Sequence, residues 1–555
     1  MTWDVLIKGG RIVDGTGRPA FPGDVAIAEG RVVAVGSLEG QARRTIAANG
    51  MVVAPGFLDV HTHYDAQLAW DAYCTPSCFH GVTSVLMGNC GLALAPATPE
   101  AGRDYLVQLF SSIEQIPQPI LNAGVPFAWQ SYPQFLEWLR GHGLGVNVMA
   151  QVGHSALRYF VMGEAALERQ ATEEEIGRIA GLAAEALDAG AIGISTSQVA
   201  HQLDAAGRHI PTYFASDDEV FALARTVKAH GRGFMCLNPR TKLMGPYPED
   251  GDFMARLAEA SGAPVTWNDF GQRAGEPDIW RQVLGWMEAS IDAGRPVYAV
   301  ARSQPTEPAF DLAGASPVLA ELPGWPEFGR LDHQAKLAAL RDPGQRSALA
   351  AALGRHPRFD QVYVKAAASA AGRDLGSRPL AAVARERGWE AADMLLDLAA
   401  REDLETWFGI ATDIAPQDAV IAPILRSKAT LVGISDAGAH VQRARADFPS
   451  YFLRHWMGDT GVFTLEEAVH QLTGQPAQVF GLRDRGRLEQ GCAADVVIFD
   501  EATIGPQPLE MRHDLPDGGR RLFNRASGIP WVLVNGEAIV EEGELTAAKP
   551  GQILT

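Results

Sequence analysis

Apolar residues in the first 50 or so positions come in short runs broken by glycine. Val5-Leu6-Ile7, Arg11-Ile12-Val13, Asp24-Val25-Ala26-Ile27 and Arg31-Val32-Val33-Ala34-Val35 are separated by Gly9-Gly10, Gly15, Gly30 and Gly36. Such runs read as strands joined by turns. The far C-terminal part repeats the style in Ala494-Asp495-Val496-Val497-Ile498-Phe499-Asp500 and Trp531-Val532-Leu533-Val534-Asn535-Gly536-Glu537. Between these ends the period changes. Thr172-Glu173-Glu174-Glu175 is a capping box opening a helix to about Asp188, with Ile176, Ile179, Ala180, Ala183, Ala184 and Leu187 at helical spacing. Ala191-Ile192-Gly193-Ile194-Ser195 then reads as a buried strand. Ser216-Asp217-Asp218-Glu219 opens a helix ending near His230-Gly231, and Thr464-Leu465-Glu466-Glu467 opens one to about Leu472.

Strands alternating with helices over most of the chain predict an α/β protein, a (β/α)8 TIM barrel, with a doubly wound sheet as the weaker choice. The β-rich ends predict a small β-sandwich domain formed from both termini, 1–55 with 482–555, around a barrel over 56–481. A proline- and glycine-rich segment near 304–329 reads as a long loop or lid.

Composition narrows the class. The 555 residues suffice for a barrel plus a smaller domain, and 47% apolar with 20% charged is ordinary for a globular chain. A net charge of −19 disfavours nucleic acid and anionic membrane as partners and favours a soluble cytoplasmic protein. Met1-Thr2-Trp3-Asp4 carries an early acid and reads as a strand start rather than a leader, and no apolar run reaches membrane-spanning length. The five cysteines, Cys74, Cys78, Cys90, Cys236 and Cys492, are sparse and odd in number, which suits reduced thiols. Cys74 and Cys78 have no neighbouring ligand pair, so a structural zinc on them is disfavoured.

Candidate chemistry lies where apolar runs end. His61-Thr62-His63 follows Val52-Val53-Ala54-Pro55-Gly56-Phe57-Leu58-Asp59-Val60 and precedes Asp65. Imidazoles at i and i+2 of extended chain share a face and make half of a metal site. Cys90 ends the run Gly81-Val82-Thr83-Ser84-Val85-Leu86-Met87-Gly88-Asn89-Cys90-Gly91, either as a zinc-binding thiolate or as a buried inert thiol. Asp436, after Thr430-Leu431-Val432-Gly433-Ile434-Ser435, reads either as an acid/base beside a metal or as a turn aspartate. His440, nearby, either bonds a substrate or packs. Gly153-His154-Ser155-Ala156-Leu157-Arg158 places an imidazole and a guanidinium at another strand end, with Arg158 either gripping a carboxylate or lying on the surface. There is no GxGxxG, P-loop or GxSxG motif.

These pieces together resemble the amidohydrolase superfamily, and within it the N-acyl-D-amino-acid deacylase (D-aminoacylase) branch. The resemblance rests on Gly56-Phe57-Leu58-Asp59-Val60-His61-Thr62-His63, Gly88-Asn89-Cys90-Gly91, Gly153-His154-Ser155 and Ser435-Asp436. It continues in Leu465-Glu466-Glu467-Ala468-Val469, Pro476-Ala477, Phe480-Gly481-Leu482, Asp484-Arg485-Gly486 and Ala494-Asp495-Val496-Val497. It implies a TIM barrel with a split β-sandwich and hydrolysis through a metal-bound water. His61 and His63 match the HxH ligands, Cys90 the branch's ligand cysteine, and Asp436 the metal-adjacent catalytic aspartate.

Two positions depart from the pattern. The branch's further histidine ligands fall on Asn238-Pro239-Arg240 and on Pro264-Val265-Thr266-Trp267-Asn268-Asp269-Phe270; no histidine lies in either stretch, and the accompanying lysine is also missing. Neutral amides are poor zinc ligands. The expectation is therefore one Zn2+ per chain on His61, His63, Cys90 and Asp436, with Asp269 a substitute of uncertain register. Asn238 and Asn268 join His154, Arg158, Arg240, Arg302 and His440 as candidate substrate contacts, Arg240 and Arg302 as carboxylate binders.

The function expected is metal-dependent cleavage of an amide C–N bond in a small molecule, an N-acyl amino acid, with Asp436 as general acid/base. A cyclic-amide hydrolase or decarboxylase on the same barrel is one alternative, and a metal-depleted non-catalytic relative another. Relatives of this kind often form homo-oligomers, although no interface shows in the sequence.

Overall fold

A computed structural model describes residues 2–238, 240, 248–272, 276–305, 307–314, 316, 318–412, 415–441 and 445–555, without the side chains at 248, 249, 415 and 416. Among these residues eight strands run parallel in the order of the chain: Phe57–Asp59, Val82–Met87, Asn147–Gly153, Gly193–Ser197, Met235–Asn238, Val265–Phe270, Val297–Arg302 and Thr430–Gly433. The last closes on the first just beyond their ends. Thr62 bridges Ala437, and the His63 amide donates to the Ala437 carbonyl at 2.7 Å. This is the expected (β/α)8 barrel.

Side-chain alternation divides the barrel wall. Leu58, Leu86, Met149, Cys236, Val300 and Leu431, one each from six strands, meet in one buried cluster that fills the interior. Val85, Val148, Ile194, Met235, Trp267 and Ala299 belong to the larger core against the surrounding helices. Those helices carry the caps read from the sequence. Thr172 and Thr464 make reciprocal capping boxes on Glu173–Ala189 and Leu465–Leu472, and Ser216 caps Asp217–His230, which ends on left-handed Gly231.

Both ends of the chain meet in one nine-stranded sheet. Val52–Pro55 lies between Trp3–Ile12 on one side and Val496–Phe499 on the other. The two short strands expected around Gly9-Gly10 are a single strand, Trp3–Ile12, whose pairing with Phe21–Ala28 shifts between Ile7 and Gly10. The glycines absorb a bulge instead of turning the chain. Ile553–Leu554 adds in parallel to the third barrel strand.

The described residues of 304–329 include the strand Ala309–Phe310 and the start of the helix Trp325–Arg330. The segment enters a module inserted between the seventh and eighth barrel strands. Ala309–Phe310, Val362–Ala366 and Trp407–Ile410 form a three-stranded sheet, and the helices include Trp325–Arg330, His333–Arg341, Pro343–Leu353, Leu380–Arg387 and Ala391–Arg401. Phe310, Trp325, Phe328, Leu340, Leu395 and Phe408 share a core separate from that of the barrel. One of the segment's prolines, Pro326, stands in the first turn of the helix Trp325–Arg330, where helices tolerate it. Among the described residues no helix is long and apolar enough to cross a membrane.

Candidate metal centre

The C-terminal ends of the barrel strands converge on one cluster. His61 and His63 follow the first strand, with ring centroids 5.3 Å apart and rings nearly perpendicular. Cys90 follows the second in the left-handed conformation (φ +57°), in a turn begun by Gly88. A Cβ on Gly88 would stand 2.1 Å from the Gln151 carbonyl oxygen, so only glycine lets the turn pass the third strand. The potential ligand atoms of His61, His63 and Cys90 all lie within 4.8 Å of one another. Cys90 Sγ is 3.7 Å from His61 Nε2.

Asp436, after the eighth strand, stands beside this trio. Its Oδ1 is 3.3 Å from His61 Nε2 and its Oδ2 is 3.4 Å from Arg302 Nη2. It does not join the mutual three-donor group among the described residues, so its place as a fourth ligand differs from that of the other three. Burial pushes its carboxyl up, but the Arg302 guanidinium and the His61 imidazole outweigh burial and hold it well below the usual carboxylate range. Arg302 ends the seventh strand and donates from Nε to Asp269 Oδ2 at 2.8 Å. One cation thus ties two carboxylates together, and Asp269 faces Arg302 rather than replacing a ligand.

The asparagines fill the gap between the fifth and sixth strands and His61. Asn268 Oδ1 is 3.0 Å from His61 Nδ1, and Asn268 Nδ2 donates to Asn238 Oδ1 at 3.3 Å. Both are buried. The structure thus puts these candidate substrate contacts against His61, a candidate ligand, and against each other.

Other candidates fall elsewhere. His154 and Arg158 are fully buried. His154 Nε2 meets Glu219 Oε1 at 2.8 Å, its Nδ1 meets Thr196 Oγ1 at 2.9 Å, and Arg158 bonds Glu219 Oε2 and the Arg169 carbonyl. Arg158 is therefore not a substrate clamp: it lies on the helix His154–Met162 and neutralises Glu219 of a neighbouring helix. Arg240 is half-buried, bonded to Gln198 and Asp217 and stacked 3.8 Å over the Phe253 ring. His440 sits near the centre, its Nε2 3.9 Å from Glu114 Oε2.

Glu114 was not foreseen. It lies just past the helix Ala101–Ile113, is 2% exposed, and brings Oε2 to 3.5 Å from His63 Nε2. Burial, then the fields of Asp436 and Asp65, push its carboxyl well above the usual range. No motif marks it; an acid at the end of an amphipathic helix is an unremarkable surface signal.

The donor set suits a zinc-class cation. Burial and the neighbouring His61 hold the His63 imidazole far below 6.5, in the neutral form that binds metals. Its Nδ1 is buried without a hydrogen-bond partner among the described residues. Burial and the Glu114 and Asp436 carboxylates push the Cys90 thiol well up. Only a bound cation makes a thiolate favourable there, since a coordinated thiol is deprotonated. Cys74 and Cys78 are buried in the main core, and among the described residues they belong to no such ligand group.

The amidohydrolase family model matches residues 44–540. D-aminoacylase of Alcaligenes xylosoxydans xylosoxydans is 29% identical over 568 residues, covering 100% of this chain and 97% of that protein. The N-acyl-D-glutamate deacylase of the same organism is 28% identical over 557 residues, covering 99% and 96%. A solved D-aminoacylase, described as having a binuclear metal centre with one-metal activation and second-metal attenuation, superposes with a TM-score of 0.66 at 28% identity, covering 100% of this chain and 99% of that one. The chain belongs to the amidohydrolase family, and it is a metal-dependent hydrolase of carbon–nitrogen bonds outside peptides.

Proposed function

We propose that this protein releases the amine from an N-acyl amino acid, using one zinc ion held by His61, His63 and Cys90 with Asp436 as general acid/base. The observation that carries the reading is the grouping of those three donors within 4.8 Å, with the Asp436 carboxylate 3.3 Å from His61. Zinc, when bound, supplies Lewis acidity to the amide carbonyl and lowers the pKa of water from 15.7 to about 7.

The chain's own residues do the rest. Arg302 keeps Asp436 ionised and oriented, so that Oδ1, on the His61 side, accepts the proton of the attacking water. The same carboxyl then protonates the departing nitrogen, which cannot leave as an anion. Cys90 and the imidazoles arrive from two neighbouring strand ends, so the barrel wall fixes their spacing. The D-series substrates named for the relatives at 28–29% identity support an N-acyl-D-amino acid as the first compound to try. The missing lysine and the engagement of Arg158 with Glu219 mean that any carboxylate grip here differs from one built on those groups.

Metal content and turnover on matched N-acyl-D- and N-acyl-L-amino acids test the reading together. One zinc per chain with release of the free amino acid supports it. Hydrolysis of cyclic imides alone, or a chain without metal, sinks it.

A further inference from the structure

Four side chains from three adjacent barrel strands and one loop continue from His61 in a single hydrogen-bonded line. The His61 Nδ1–H donates to Asn268 Oδ1 at 3.0 Å, and Asn268 Nδ2 donates to Asn238 Oδ1 at 3.3 Å. Asn238 Nδ2 donates to Ser197 Oγ at 3.0 Å, and Ser197 Oγ donates to Gln202 Oε1 at 2.6 Å. Every link runs in the same sense, donor toward acceptor, away from His61. Strand register makes this possible. Asn238 is the pairing partner of Ser197, and Leu237 pairs with Trp267, so Asn238 and Asn268 stand level on neighbouring strands. Cys236, two residues before Asn238 on the same face, takes a weaker contact from Asn268 Nδ2 at 3.5 Å.

The geometry points to Asn268 and Asn238 as positioning residues for a single-metal centre, holding His61 as a ligand through Nε2. An imidazole whose Nδ1–H is committed carries its lone pair on Nε2, and Nε2 is the atom that faces Cys90 and Asp436. A histidine in place of Asn268 would compete for metal. An amide accepts from His61 and donates onward at once, so its orientation is fixed by the next residue in the line. The two stretches where the family resemblance puts further ligands thus each supply an asparagine that supports the first ion instead of a histidine that holds a second. The inference rests on the proposed metal reading of His61.

Chelator competition for zinc on the full-length protein tests it, comparing wild type, Asn268→Ala, Asn268→Asp and Asn238→Ala. Outer partners of metal-bound histidines are worth about 10–100-fold in affinity. The expected result is a loss of that size for Asn268→Ala and a smaller loss for Asn238→Ala, one link further away. Asn268→Asp keeps an oxygen for the His61 Nδ1–H and is expected to bind zinc at least as tightly as wild type. Equal affinity in wild type and Asn268→Ala overturns the inference, as does an Asp variant that loses as much as the Ala variant. Two tightly held ions in wild type also overturn it while sparing the hydrolase reading. A wild type that takes up no zinc overturns the metal reading itself. Asn238→Ala, which leaves His61 and Asn268 in place, gives the answer if Asn268→Ala does not fold.

Discussion

Arg302 Nη2 lies 3.4 Å from Asp436 Oδ2, while Arg302 Nε holds Asp269 Oδ2 at 2.8 Å, so a single guanidinium balances two partly buried carboxylates at the barrel mouth. Arg302→Gln leaves those charges facing each other and frees Asp436 to rotate. Turnover is expected to fall on the order of 100-fold, the usual consequence of a misplaced catalytic group. Asp269→Asn leaves Arg302 wholly to Asp436 and should cost less. Steady-state kinetics of the two variants check the order.

Asp436→Asn keeps the shape of the site and removes the proposed base. Turnover should drop by roughly 10²–10⁴. Zinc content should stay near wild type, because the mutual donor group is His61, His63 and Cys90. Elemental analysis of the purified variant separates the two roles: loss of the ion along with activity would make Asp436 a necessary ligand.

Glu219 balances Arg158 and bonds His154 where neither reaches water. Glu219→Gln leaves a buried guanidinium without its counter-charge, at a cost of about 3–5 kcal/mol. Denaturant unfolding at neutral pH should show that loss, and a difference under 1 kcal/mol would contradict the account.

The same trio predicts acid sensitivity. Burial holds His154 below its ordinary 6.5, against the pull of Glu219. Burial raises Glu219, but its bonds to His154 and Arg158 prevail and hold it below 4.5. In both cases the unfolded chain binds the proton more readily than the folded one. Their stabilisation is therefore complete above about pH 6.5 for His154 and about pH 4.5 for Glu219, and drains away as pH falls toward the folded values. The melting-temperature gap between wild type and His154→Gln should narrow from pH 7.5 to pH 5. A constant gap would rule His154 out as the group responsible.

Stripping the metal should lower stability as well as abolish turnover. An ion bound only by the folded chain stabilises it by about 2.7 kcal/mol at one hundred times its dissociation constant. Melting with chelator, and again after zinc is restored, should show a drop and a recovery. Cys90→Ala should show neither, since it already lacks the thiolate.

The legible part of this site was local. His61, His63, Cys90 and Asp436 each follow an apolar strand within a few residues, and the barrel gathers strand ends, so sequence position was enough to place them. Glu114 was illegible because nothing in its own segment marks it, and Glu219 was marked only as part of a helix start; tertiary packing alone brings them to His63 and Arg158. Arg158 was misplaced for a related reason: the helix after the third strand turns it into the helix layer, away from the barrel mouth. The 304–329 segment shows the limit of composition, since Pro326 in the first turn of Trp325–Arg330 looks like proline in a loop until the helix after it is seen. The asparagines were recognised as departures from a pattern, but their use depended on cross-strand register, which one strand's sequence does not contain.

The strand Val52–Pro55 is held between Trp3–Ile12 and Val496–Phe499, and the first barrel strand begins at Phe57. The segment carrying His61 and His63 is thus anchored on one side by chain made more than 400 residues later. Contacts so distant in sequence form slowly. During synthesis the first barrel strand emerges long before the neighbour that fixes its anchor. The two candidate ligand histidines are therefore among the first site residues the ribosome delivers and among the last to acquire their final surroundings.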